Sequence, residues 1–213
     1  GIAYDKKGDL DRAIADFNEA TRLDAKHALA FYNRGIASRL KGDIDRAIAD
    51  YSEAIKLDAK FALGFYQRGH AYYEKRDFDR AIADFGEATR FNPNFELAFH
   101  HRGLSHREKR DYDRAINDFS QAIRLNGRNA AAFDNRGLAY RMKGDLERAI
   151  ADFEQATRLD PKASAALIDR GTSYGIRGDN DRAIADLDTA LKLDPKNAVA
   201  FNNRGFAYRN RGE

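Results

Sequence analysis

The sequence predicts an all-α protein, an open solenoid of antiparallel helix pairs instead of a single globular core. Three observations predict it. Glycine recurs every 34 residues at Gly35, Gly69, Gly103, Gly137, Gly171 and Gly205, and Gly1 continues the series backwards. A fixed period of this size marks a stack of supersecondary units. The same register carries a nearly constant block: Asp11 to Phe17, Asp45 to Tyr51, Asp79 to Phe85, Asp113 to Phe119, Glu147 to Phe153 and Asp181 to Leu187. Within each period the apolar residues fall on two separate helical stripes.

Taken in order, the chain reads as a partial repeat over 1–27, full repeats over 28–61, 62–95, 96–129, 130–163 and 164–197, and a partial repeat over 198–213. Each unit contacts mainly its neighbours, so the 213 residues form one quasi-linear domain. Residues 1–7 supply the tail of a first helix, and Asp11 to Phe17 belong to a second. The repeat at 130–163 shows the local logic. Ala132, Phe133, Gly137 and Tyr140 lie on one stripe. Met142, Lys143 and Gly144 end that helix, because glycine tolerates the left-handed conformation a helix terminus often adopts. Asp145 is the expected N-cap of the second helix, which carries Ala149, Ile150, Phe153, Ala156 and Leu159. Asp160-Pro161 closes the unit, since proline cannot continue the helix before it. Ala47, Ala81, Ala115, Ala149 and Ala183, with the periodic glycines, let backbones approach. Phe31, Phe65, Phe99, Phe133 and Phe201 are expected to fill the space between adjacent hairpins. Ala198 to Arg211 form a last helix without a second helix to pair with, so a longer parent protein and head-to-tail self-association are expected.

Composition excludes several function classes. There is no cysteine, hence no disulfide, thiol catalysis or thiolate metal site. No apolar run approaches the roughly 20 residues of a membrane helix. Lys and Arg number 37 against 34 Asp and Glu, a net charge of +3, and many arginines sit at fixed repeat positions. This near-neutral balance argues against nucleic acid as the ligand. The glycines are single and periodic, not phosphate-cradling, and no nucleophile–base constellation is visible, so the chain is expected to be no enzyme and to need no cofactor. The chain names no compartment; a soluble protein, with the cytoplasm slightly favoured, is the expectation.

The motif Phe133, Arg136-Gly137, Tyr140, Ala149, Phe153 and Pro161 resembles the tetratricopeptide repeat, and the resemblance covers essentially the whole chain. It implies a right-handed superhelix and a protein-binding scaffold. One departure is systematic: the residue before each glycine is Arg34, Arg68, Arg102, Arg136, Arg170 or Arg204 where the family has leucine. Sixteen residues after the first five stand Asp50, Asp84, Asp118, Asp152 and Asp186, which predicts a repeated, partly buried Arg–Asp pair joining the helices of each hairpin. Asp16 lacks such an Arg in the sequence and Arg204 such an Asp. On this reading Arg102→Leu costs about 3–5 kcal/mol, the usual penalty for a buried charge left alone.

The resemblance further places the ligand on the first helix of each repeat, which lines the concave surface. The positions carried over are Leu29, Tyr32, Ile36 and Arg39; Leu63, Tyr66, His70 and Tyr73; Leu97, His100, Leu104 and Arg107; Asp134, Leu138, Arg141 and Met142; Ile168, Thr172 and Ile176; Asn202, Phe206 and Arg209. A sixth position is polar throughout: Asn33, Gln67, His101, Asn135, Asp169 and Asn203. An amide there can both donate to and accept from an extended peptide backbone. The expected partner is a protein or peptide, with Arg39, Arg107, Arg141 and Arg209 favouring an acidic one. His70, His100 and His101 are read as a wet, hydrogen-bonded cluster with no metal, because adjacent His100 and His101 point in different directions on a helix. His106 and His27 are read as structural.

Overall fold

The computed structural model describes residues 9–212. The tail of a first helix expected over 1–7 lies outside them. Twelve helices follow: α1 Leu10–Leu23, α2 Ala28–Leu40, α3 Ile44–Leu57, α4 Ala62–Glu74, α5 Phe78–Phe91, α6 Glu96–Glu108, α7 Tyr112–Leu125, α8 Ala130–Met142, α9 Leu146–Leu159, α10 Ser164–Arg177, α11 Asn180–Leu193 and α12 Ala198–Arg211. No strand occurs among the described residues. The chain divides into two compact units, Gly1–Lys109 and Arg110–Glu213.

Capping explains the helix boundaries. Asp9, Asp43, Asp77, Asp111, Asp145 and Asp179 each accept from the backbone N–H three residues on, at the start of every second helix. At the turn before these caps, Gly144 and Gly178 take left-handed φ of 81° and 91°. Arg76 and Arg110 stand at the same register with φ of 60° and 61°, where a side chain is less at home.

In the first unit, α2 packs on α3 and α4 on α5, and the first helices approach one another, α2 with α4 and α4 with α6. In the second unit, α8 packs on α9, α10 on α11, and α8 approaches α10 as α10 does α12. The second helices of successive hairpins make no comparable approach among the described residues. Within each unit the first helices therefore crowd together on the inner side.

The core is built from small and aromatic residues in register. Ala47, Ala81, Ala115, Ala149 and Ala183 are completely buried, as are Tyr51, Phe85, Phe119 and Phe153. Tyr51, Phe85 and Phe153 fill the space against Gly35, Gly69 and Gly137 of their own hairpins. Phe65 alone of the expected set is buried; Phe31, Phe99 and Phe133 are half-buried and Phe201 is exposed. Each of the five lies under the guanidinium three residues on, 5.2 Å for Arg34 over Phe31 and 5.6 Å for Arg136 over Phe133.

A methyl group on Gly35 would stand 2.6 Å from Tyr51 Cε1, whereas one on Gly205 would meet nothing within 4 Å. Gly35→Ala is therefore expected to lose about 1–3 kcal/mol to overpacking, offset by up to about 1 kcal/mol of helix propensity. Gly205→Ala, at the same register, should gain stability instead. Chemical denaturation of the two variants checks the contrast, and equal effects would contradict it.

The Arg–Asp pairs form as two-pronged forks. Arg34 bonds Asp50 (2.5 Å from Nη2), Arg68 bonds Asp84 (2.7 and 2.8 Å), Arg136 bonds Asp152 (2.8 and 2.7 Å) and Arg170 bonds Asp186 (2.7 Å twice). Arg102 and Asp118 belong one to each unit. Each guanidinium also reaches the second helix of the preceding hairpin: Arg34 donates to Thr21 and Asn18, Arg68 to Ser52, Arg102 to Thr89, Arg136 to Ser120 and Arg170 to Thr157. The arginine thus ties three helices, not two. Arg204, expected to lack a carboxylate, pairs with Asp188 through this second arm. Hydrogen bonding to their aspartates raises the pKa of Arg68, Arg136 and Arg170. Burial pushes Asp84 up against the pull of Arg68, and the two-pronged bond to the guanidinium keeps it a carboxylate at neutral pH.

Outside the core, Lys41 reaches Asp11, Lys75 reaches Asp45, Lys109 reaches Asp79, Lys143 reaches Asp113, Arg177 reaches Glu147 and Arg211 reaches Asp181. These exposed rungs link the end of each first helix to the first turn of the preceding second helix. Such pairs contribute at most about 1 kcal/mol each.

Candidate functional site

The inner side of the first unit is carried by α2, α4 and α6. Its tyrosines are half-buried, because they pack on rings of their own or the next hairpin as well as facing outward. Tyr32 meets Phe61 edge-on at 5.0 Å, Tyr66 lies 4.8 Å from Phe95 and 5.8 Å from Phe85, and Tyr73 lies 5.5 Å from Phe78. Burial raises the pKa of Tyr66 and Tyr73. Ile36 packs beside Tyr51, whose hydroxyl burial pushes up to about 12. Asn33, Gln67 and Leu104 are half-buried.

Between α2 and α4, Arg39 donates to Glu74 at 2.8 Å, and His70 Nδ1 lies 3.0 Å from the same carboxylate. His70 and His101 stand 5.3 Å apart, and His101 and His100 stand 5.6 Å apart. His101 donates to the Leu97 carbonyl, with the Tyr66 hydroxyl 3.4 Å from the same nitrogen. The cluster is drier than expected: His100 is 8% exposed, so its ring is not on the open face. Burial lowers the pKa of all three, taking His100 to about 4 with help from His101 and Arg107. His106 is buried at the register tyrosine holds elsewhere, and His27 is exposed at the α2 N-cap. Arg107 contacts Glu108 at 3.3 Å.

In the second unit the inner side is carried by α8, α10 and α12. The Asn135 amide donates to its own helix at the Ala131 carbonyl, 2.8 Å away. Leu138 is half-buried and Ile168 is buried. Arg141 pairs with Asp169 at 2.9 Å and also donates to its carbonyl. Asn203 donates to the Thr172 hydroxyl at 2.8 Å. Next to that bond a cavity of about 260 Å³ opens, lined by Gly171, Thr172, Gly175, Ile176, Asn203, Phe206, Ala207 and Asn210. Ile176 and Phe206 stand 62% and 48% exposed at its rim. Gly175 and Asn210 are absent from the residues the sequence singles out. The signal was legible: the register of Gly175 holds Arg39, Tyr73, Arg107, Arg141 and Arg209 in the other copies.

Three of the four arginines expected to draw an acidic ligand, Arg39, Arg107 and Arg141, are thus engaged by carboxylates of the molecule itself. Arg209, lying over Phe206 at 4.7 Å, is exposed.

The tetratricopeptide repeat pattern matches residues 62–95 and 101–164, and a pattern described as TPR repeat matches 1–38, 37–76 and 171–212, more than half of the chain. The chain belongs to the tetratricopeptide repeat family. No curated protein matches the sequence. Among solved structures, this tetratricopeptide repeat protein is similar to YrrB, described as a TPR protein with an unusual peptide-binding site. The TM-score is 0.78 at 23% identity, covering 89% of this chain and 97% of that one. MamA is similar with a TM-score of 0.74 and 26% identity, over 76% of this chain and 95% of its own. A tetratricopeptide repeat protein from Parabacteroides merdae gives 0.79 at 22% identity, over 100% and 84%. The fold supports a protein–protein interaction scaffold with protein or peptide partners. Among the described residues no helix is long and apolar enough to cross a membrane.

Proposed function

We propose that the inner faces of the first helices bind an extended peptide or a partner's helix. The observation that carries this reading is the cavity beside Asn203. There two exposed apolar side chains, Ile176 and Phe206, flank a polar floor of Thr172 and Asn203. Ligand sites combine apolar walls with a few placed polar groups in this way. Apolar burial supplies the affinity, and the Asn203 amide orients a main chain. In the first unit the corresponding contacts come from Tyr32, Tyr66, Tyr73 and Leu104, with Asn33 and Gln67 as the polar positions. The peptide-binding site of YrrB belongs to that protein; the present reading rests on this chain's own cavity. The arginines of the repeat register are engaged by Asp50, Asp84, Asp152 and Asp186, which speaks against a phosphate-binding ladder.

The test is affinity capture with the wild type beside an Ile176→Asp/Phe206→Asp variant. Both side chains are exposed, so the variant is expected to melt as the wild type does. A peptide or protein retained by the wild type should be lost by the variant. Retention of the same set by both, or of further copies of this chain alone, would count against the face as the site. Steep loss of binding with salt would indicate nucleic acid instead.

A further inference from the structure

One register position near the end of each first helix is held by Arg39, Tyr73, Arg107, Arg141, Gly175 and Arg209. Twice within a unit an arginine here crosses to the next first helix and meets a carboxylate. Arg39 on α2 bonds Glu74 on α4 at 2.8 Å, and Arg141 on α8 bonds Asp169 on α10 at 2.9 Å. Between α10 and α12 all three positions of this arrangement differ together. Gly175 stands where the arginine would, Asn210 has the register of Glu74, and Asn203 has that of Asp169. The cation and both of its anions are absent as a set, so no charge is stranded. In their place lies the cavity of about 260 Å³, none of whose lining residues is charged.

The polar floor of this cavity bonds largely to itself. Asn203 donates to the Thr172 hydroxyl at 2.8 Å, and that hydroxyl donates to the Ile168 carbonyl at 2.6 Å. The Asn203 side-chain oxygen accepts from Asn202 at 3.3 Å. A charged guest would lose its water here and meet no opposite charge, which is costly. Arg209, exposed and 4.7 Å from the Phe206 ring, places a positive charge beside the entrance and disfavours a second cation. The other copies carry only arginine and tyrosine at the Gly175 register, two long side chains with flat ends. Without the carboxylates an arginine needs, the ring is the one of the two that suits the space. Phe206 offers it an aromatic neighbour, and aromatic pairs attract in offset or edge-on contact.

We infer that this slot receives an uncharged aromatic side chain of the bound partner and rejects charged ones. The ring enters between α10 and α12 over Gly175, packs against Ile176 and Phe206, and leaves the exposed Asn210 amide to the adjoining main chain. This rests on the reading of the inner face as a binding site and adds the class of side chain that the face selects.

The experiment titrates the protein with N-acetylphenylalaninamide, N-acetylleucinamide and N-acetylargininamide, and follows the Ile176 methyls and the Asn203 and Asn210 side-chain amides by NMR. The phenylalanine amide should saturate, move the Ile176 methyls upfield and bind equally well at low and high salt, since no charge is involved. The leucine amide should bind several-fold more weakly, and the arginine amide should not saturate. Gly175→Arg/Asn210→Glu, which rebuilds the Arg39–Glu74 pair in this slot, should abolish the response without lowering the melting temperature. Gly175→Tyr serves the same purpose should the double variant express poorly. No saturation by the phenylalanine amide, equal binding of the leucine or arginine amide, or an undiminished response in the filled variants overturns the inference. Affinity capture separates it from the reading it rests on. If Ile176→Asp/Phe206→Asp loses a partner that Gly175→Arg/Asn210→Glu retains, the face binds without the slot and the inference falls alone. If both variants retain what the wild type retains, the reading of the face falls and the inference with it.

Discussion

Arg68→Leu is expected to lower the stability of the first unit by about 3–5 kcal/mol, because it leaves Asp84 buried and charged without its guanidinium. Asp84 is 8% exposed on its side chain and accepts both prongs of the Arg68 fork. The change also removes the bond to Ser52 on the preceding hairpin, so the loss should extend beyond one helix pair. Two further readouts separate a stranded charge from simple misfit. Burial already pushes the Asp84 carboxyl up, and deleting the arginine pushes it higher still. The proton then relieves the buried charge, so the deficit of Arg68→Leu relative to wild type should shrink as pH is lowered. Arg68→Leu/Asp84→Leu should recover most of the loss, since an apolar pair of similar volume often replaces a buried ion pair without cost. Urea denaturation of the three variants at neutral and mildly acidic pH provides the measurement. A single variant as stable as wild type would refute the three-helix tie as a source of stability.

The second large effect is a loss of stability on acidification. Burial, with His101 and Arg107, takes His100 from the ordinary 6.5 to about 4. The unfolded chain therefore binds a proton that the folded chain refuses between those values. Stability consequently rises with pH across that window, is fully present above about 6.5 and is lost as pH falls towards 4. At about 1.4 kcal/mol per unit, His100 alone accounts for about 3 kcal/mol. His70 and His101 are lowered too, and add in the same direction. Glu74 beside His70 and Glu96 near His101 oppose the shifts without reversing them. Stability measured from pH 7 to 4.5 should fall steeply for the wild type and less steeply for His100→Gln. Parallel slopes would mean that His100 does not carry the dependence.

Particular residues show how far the sequence could be read. The forks of Arg34, Arg68, Arg136 and Arg170 follow from a constant spacing of sixteen between opposite charges on one hairpin. Their third partners are not legible, because Thr21, Ser52, Ser120 and Thr157 are ordinary small polar residues on a second helix. Arg204 illustrates the limit: with no aspartate ahead of it, it uses Asp188 behind it. From the sequence Phe133 reads as a space-filler, because an aromatic on an apolar stripe usually is one. In the fold it is half-buried under Arg136, and the ring against Gly137 inside the hairpin is Phe153. Arg39 and Arg141 read from the sequence as ligand-facing charges, whereas Glu74 and Asp169, contributed by the next hairpin, engage them.

The sequence by itself determined the architecture: helix boundaries, aspartate caps, the glycine–aromatic register and the Arg–Asp spacing. All of these are set by residues within one period, and the period repeats them until no alternative fits. Tertiary structure alone decided which side chains are open. His100 is dry, Ile168 is buried, and a cavity opens beside Gly175. The physical reason is that exposure depends on neighbours about one period away, on adjacent hairpins, where the copies differ from each other. Gly175, in a register that holds arginine or tyrosine in the other copies, changes nothing locally in its helix, yet it lines the cavity beside Asn203.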